Sequence, residues 1–131
     1  MRRMQEKQLY EYAVIRVVPQ VEREEFLNAG VILYCPGQRF LQTLYEVNEA
    51  RLHAVDSRLD LEEVRARLYA FEQVCAGREQ GGPIGRLPIA SRFRWLTASR
   101  STIVQSSPVH PGLCADPLKT LERLFKQLVA S

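Results

Sequence analysis

Residues 9–47, LYEYAVIRVVPQVEREEFLNAGVILYCPGQRFLQTLYEV, set the architecture. Residues 9–18 are rich in aromatic and β-branched side chains and stop at Pro19, which predicts a strand. Residues 20–26 are polar and charged and read as a connection. Residues 27–35, LNAGVILYC, predict a second strand, with Pro36-Gly37 as its turn signal. In residues 39–47, Phe40, Gln42, Leu44 and Glu46 alternate with Leu41, Thr43, Tyr45 and Val47. Period-two alternation predicts a half-buried third strand paired with the second.

Beyond this stretch the period changes to helical. A short helix is predicted over 48–57. Asp60 and Glu63 form a capping pattern ahead of Leu61, Val64, Leu68, Phe71 and Cys75, which share one helical face, and Gly77 is the expected stop. Residues 77–85, GREQGGPIG, read as a loop. Pro88 suits the first turn of another helix carrying Ile89, Phe93 and Leu96. Residues 101–106 predict a fourth strand, and SPVHPG at 107–112 a stiff loop. Asp116-Pro117 opens a last helix whose apolar face is Leu118, Leu121, Leu124, Phe125 and Leu128. The chain order βββαααβα predicts an α+β fold: an antiparallel sheet of about four strands with helices mainly on one face. The 131 residues suit a single domain, with 1–8 expected as an unstructured tail.

Composition excludes several function classes. Apolar residues are 46% and charged residues 25%, ordinary globular values. No run approaches the roughly 18 apolar residues of a membrane span, and Met1-Arg2-Arg3 is followed by no apolar core of an export signal. Cys35, Cys75 and Cys114 are odd in number and lack a C-x-x-C pair, so no metal or disulfide framework is expected. Free cysteines suit a reducing compartment, and a cytoplasmic protein is expected. No cofactor is expected either: QGGPIGR at 80–86 lacks the phosphate-loop spacing, and no G-x-S-x-G nucleophile turn occurs.

The net charge of +3 is not evenly spread. Between Glu79 and Asp116 there is no acidic residue, and Arg86, Arg92, Arg94 and Arg100 give this window the whole positive surplus. The window is also dense in hydroxyls. Arg100, Ser101 and Thr102 stand where a helix gives way to a strand, a combination that can surround phosphate. Turn chemistry alone also accounts for the hydroxyls. His110 lies between Pro108 and Pro111, which fix its backbone, and could act as an acid/base or as a loop side chain. A Cys114/His110 dyad has the i, i+4 spacing but no identifiable third member. Glu24, Glu25 and Asn28 precede Gly30 at a strand entrance, where they could meet a ligand or form a capped turn before a glycine bulge. Arg16 interrupts the face of Tyr10, Tyr12, Val14 and Val18 and either snorkels to the edge, stacks on tyrosine or points into an anion site.

Three segments, YEYAVIRVVP (10–19), REEFLNAGVILYCP (23–36) and SRFRWLTASRSTIVQSSPVHPGL (91–113), resemble the hallmarks of the bacterial domain-of-unknown-function 3037 family. The resemblance runs from about Tyr10 to Val129. It implies a small bacterial protein, and by gene neighbourhood a partner or regulator of a HipA-like kinase. It adds Arg92 and Gln105 to the candidate ligand-binding set of Arg100, Ser101, Thr102, His110, Asn28 and Arg16. Glu24 stands where the family pattern has glycine, and Ser99 where it has proline.

These readings favour a non-catalytic binding or regulatory module for a phosphate-bearing or acidic ligand or partner. One alternative is a small enzyme on a phosphorylated or nucleotide substrate, with His110 and Glu25 as catalytic groups and Arg100 as electrostatic stabiliser. Another is nucleic-acid binding through the arginines.

Overall fold

A computed structural model describes residues 6–130. The five strands are β1 (Gln8–Val17), β2 (Leu27–Cys35), β3 (Phe40–Tyr45), β4 (Val104–Ser106) and β5 (His110–Cys114). The five helices are α1 (Glu49–Val55), α2 (Leu61–Ala76), α3 (Gly82–Gly85), α4 (Ile89–Leu96) and α5 (Pro117–Leu128). The α+β antiparallel fold is as expected, with five strands rather than four.

The extra strand is β5. Pro111 and Gly112 read as loop residues, yet Gln8–Tyr12 of β1 pair with Cys114–His110. Proline is tolerated because β5 lies at a sheet edge. Gly112 is required because a Cβ there would collide with the ring of Tyr10. The expected tail is correspondingly shorter, since Gln8 already belongs to β1; residues 1–5 lie outside the described residues.

The sheet order is β3-β2-β1-β4, with β5 continuing β4 along the same edge of β1. Ser107 mends the break between them. Its backbone N–H donates to Val14 O, and its Oγ accepts from Val14 N, both at 2.8 Å. The ladder thus passes Pro108 without stranding a buried donor of β1.

Between β1 and β2 the register slips from Ile15↔Gly30 to Arg16↔Asn28, leaving Ala29 as a bulge. Gly30 sits where a Cβ would come within 2.6 Å of Leu44 O. The bulge reverses the alternation of β2, so Ala29 joins the core cluster of Ile15, Val17, Leu52, Val64 and Leu68.

Helices cover both faces, so the one-face expectation holds for four of the five. Ala13, Ile32 and Tyr34 pack against Val74 and Cys75 of α2 and Phe93 and Leu96 of α4. Leu52 of α1 and Ile84 of α3 lie on this same side. On the other side, Tyr10, Val31, Leu33 and Cys35 pack against Leu121 and Leu124 of α5. Leu118, expected to be buried, is exposed on α5.

The caps follow the sequence. Asp60 accepts from the backbone N–H of Glu62 and Glu63, and Gly77 ends α2 at φ +67°. The side chain of Glu63 does not complete the reciprocal cap but pairs with Arg67 at 3.4 Å. Asp116 accepts from the N–H of Lys119 at 3.1 Å. The presumed loop at 77–85 contains a 3-10 turn (Glu79–Gly81) and α3, which the glycines concealed.

Candidate functional site

The structure does not gather the basic window into one pocket. Arg92 lies inside a corner: Nη1 donates to Leu87 O at 2.8 Å, its end packs by Gly77, and Nε is buried without a hydrogen-bond partner. Arg94 reaches the Glu11 carboxylate with two bonds of 3.1 and 2.9 Å, and that hydrogen-bonded pairing raises its pKa. Arg100 lies 3.9 Å over the Trp95 ring and donates to Trp95 O. Among the described residues no carboxylate pairs with Arg100.

Several hydroxyls are committed to backbone. Thr97 donates to Phe93 O, Thr102 to Val104 O, Ser106 to Ser107 O and Ser107 to Pro108 O. Ser101 is exposed beside Arg100 in sequence. Turn chemistry therefore explains much of the hydroxyl density.

Arg100 and Thr102 line a groove of about 440 Å3 between α2 and the α4–β4 segment. Its walls are mainly apolar: Ala66, Ala70 and Phe71 of α2 face Trp95 and Leu96 of α4. Volumes of roughly 300–1,000 Å3 with few polar groups are typical of small-molecule sites. Trp95 is 40% exposed and is the one tryptophan of the sequence. Sequence reading did not identify this groove. Its only signal is small: Ala66 and Ala70 stand one helical turn apart where bulkier residues would fill the space.

On the other face a different set comes together. Arg16 is paired in register with Asn28 of β2 and with Gln105 of β4. Its guanidinium stacks 4.1 Å from the ring centroid of Phe26, not on a tyrosine as expected. Asn28 donates to Leu128 O at 3.1 Å and Gln105 to Thr102 O at 2.8 Å.

The two catalytic candidates stay apart. His110 opens β5 opposite Tyr12, with ring centroids 5.3 Å apart, and is exposed. Glu25 is exposed and paired with Arg23 at 2.8 Å, next to the Phe26 that covers Arg16. From Tyr12 to Arg16 is four strand residues, about 13 Å along β1. The Cys114/His110 spacing likewise spans the length of β5, about 13 Å, so the two side chains form no dyad. Cys75 is buried, and desolvation pushes its thiol up to about 12, against the opposing influence of Arg92. Cys114 is raised in the same direction by burial. Neither environment favours a thiolate nucleophile.

Among the described residues no cluster of three or more His, Cys, Asp or Glu could hold a metal ion. No described helix is long and apolar enough to cross a membrane.

Glu24 occupies the left-handed region at φ +57°. That is the backbone shape glycine adopts most easily, and glycine is what the resemblance places there.

No curated protein matches the chain, and no solved structure does. The family model described as a protein of unknown function, DUF3037, matches residues 12–129, nearly the whole chain. With that span covering all five strands' common core and every helix, the chain belongs to the DUF3037 family.

Proposed function

We propose that this protein is a non-catalytic binding module whose groove between α2 and α4 takes a ligand with an apolar body and an acidic or phosphorylated head. The observation that carries this reading is Arg100. It stands on the wall of a mainly apolar groove and pairs with no carboxylate, while the other two charged lining residues, Glu63 and Arg67, pair with each other at 3.4 Å. Stacking on Trp95 uses the flat face of the guanidinium, so N–H groups in its plane stay available for an oxyanion. The apolar walls supply affinity, and a hydrogen bond to a charged group adds about 1.5–3 kcal/mol of selectivity.

A HipA-like kinase presenting an acidic or phosphorylated segment is the partner this proposal includes on the strength of the family resemblance. The catalytic alternative needs His110 and Glu25 together, and the geometry keeps them apart. The nucleic-acid alternative needs a continuous basic face, whereas Arg94 is neutralised by Glu11 and Arg92 is turned inward.

Trp95 makes the test direct. Titration with octyl phosphate is expected to change its emission saturably, with octanol binding at least tenfold more weakly. Arg100→Ala is expected to erase the difference between the two. Emission that does not saturate, or that responds equally to both compounds in the wild type, overturns the reading.

A further inference from the structure

A charged side chain near the middle of a sheet needs an explanation, because a desolvated guanidinium is costly without partners. Arg16 is such a side chain. It is partly buried on β1, with β2 on one side and β4 on the other. The chain supplies it with an incomplete set of partners. Its Nε is buried and has no hydrogen-bond partner. Among the described residues no carboxylate pairs with it. The nearby acidic side chains of the β1–β2 connection, Glu22, Glu24 and Glu25, are exposed, and Glu25 is held by Arg23.

What the chain does supply is orientation. Phe26 covers one flat face of the guanidinium at 4.1 Å. The five N–H donors lie in the guanidinium plane, so this contact steers them without consuming them. Directly paired residues of antiparallel strands project from the same face about 5 Å apart. Asn28 and Gln105 therefore flank Arg16 on the same side of the sheet. Each carboxamide is anchored by one N–H: Asn28 on Leu128 O, Gln105 on Thr102 O. A primary amide carries two N–H groups, so each keeps one donor beyond its anchor.

We infer that Arg16, Asn28 and Gln105 form a binding site for an oxyanion, the phosphoryl or carboxylate group of a ligand. The ligand's oxygens meet the in-plane N–H groups at the end of the guanidinium, which the contact with Phe26 leaves unconsumed, and supply the negative charge that the chain does not. Arg16 provides the charge and the fork, and the two carboxamides fix the position of the group across three strands. The site lies on the face opposite the groove and stands independently of the reading given to Arg100.

The test is read on the Arg Nε–H and side-chain NH2 resonances of the ¹⁵N-labelled full chain. Inorganic phosphate and acetate are titrated separately, with ionic strength held constant by sodium chloride. The Arg16 Nε–H and the Asn28 and Gln105 amide resonances are expected to shift saturably. Tighter phosphate binding identifies a phosphoryl ligand, and tighter acetate binding a carboxylate. Arg16→Lys and Gln105→Ala are each expected to weaken binding at least tenfold, with Arg100→Ala leaving it unchanged. Backbone amide spectra report whether each variant keeps its fold, and Gln105→Ala serves if Arg16→Lys does not. Shifts that stay linear with both anions overturn the site. So does saturable binding that folded Gln105→Ala leaves intact. Failure of the groove is read separately, on Trp95 emission.

Discussion

The two faces of β1 are built on different plans. Ala13, Ile15 and Val17 are fully buried beneath the side that carries four helices. Tyr10, Tyr12, Val14 and Arg16 face the side that carries only α5, and there Tyr12 and Arg16 are partly exposed. Because side chains alternate along a strand, one ten-residue segment can serve a dry core and a polar row at once. The crowded face keeps its opening where α2 thins to alanine. On the sparsely covered face the register slips at Ala29, and Arg16, Asn28 and Gln105 stand side by side there. The mainly apolar groove and the polar row are thereby separated by the thickness of the sheet.

The strongest challenge to this contrast is truncation of one core residue on each side. Phe93→Ala removes a fully buried ring and is expected to cost about 3–5 kcal/mol, and Leu121→Ala about 2–5 kcal/mol. Denaturant unfolding measures both. A cost well under 1 kcal/mol on either side would mean that face does not hold the sheet. A middle-sized effect is expected at the seam between β4 and β5. Ser107→Ala leaves the buried N–H of Val14 without its acceptor and is expected to cost about 1–3 kcal/mol. Amide exchange should show Val14 losing protection more than Ile32, which pairs with Ala13 on the intact side of β1.

The smallest change has the opposite sign. Glu24→Gly relieves a left-handed φ and is expected to stabilise by about 0.5–1 kcal/mol, read as a raised thermal midpoint. It sharpens the contrast because the turn holds Phe26 over Arg16. A stabilised variant with an unchanged Arg16 Nε–H resonance would show that the polar row tolerates a relaxed turn.

Local signals in the sequence were strong where they concerned one element. The strand at 27–35 and the Asp60 and Gly77 ends of α2 follow from residue type and spacing alone. Gly30 was legible as a close approach of backbone, and the structure supplies Leu44 and Tyr45 as the neighbours. β5 was hidden because Pro111-Gly112 is ordinarily a loop signal, and only its position at an edge permits it in a strand. The candidate site was legible in its residue types and illegible in its grouping. Arg16, Asn28 and Gln105 come from three strands, and only register makes them neighbours. Arg92, Arg94 and Arg100 are close in sequence, yet helical rotation and the turn after α4 send them to three different partners. The groove was illegible for a plainer reason: it is made by the absence of bulk at Ala66 and Ala70.

The partnership of Val14 with Ser107, 93 residues apart, bears on how the protein is made. A nascent chain leaving the ribosome carries β1 long before β4 and β5 exist. Until they are synthesised, one flank of that strand offers open backbone donors and acceptors to any neighbouring polypeptide. Such distant pairing slows folding and lengthens the interval of risk. Chaperone demand in the cell should therefore track the time between translation of the first strand and translation of the segment around Ser107.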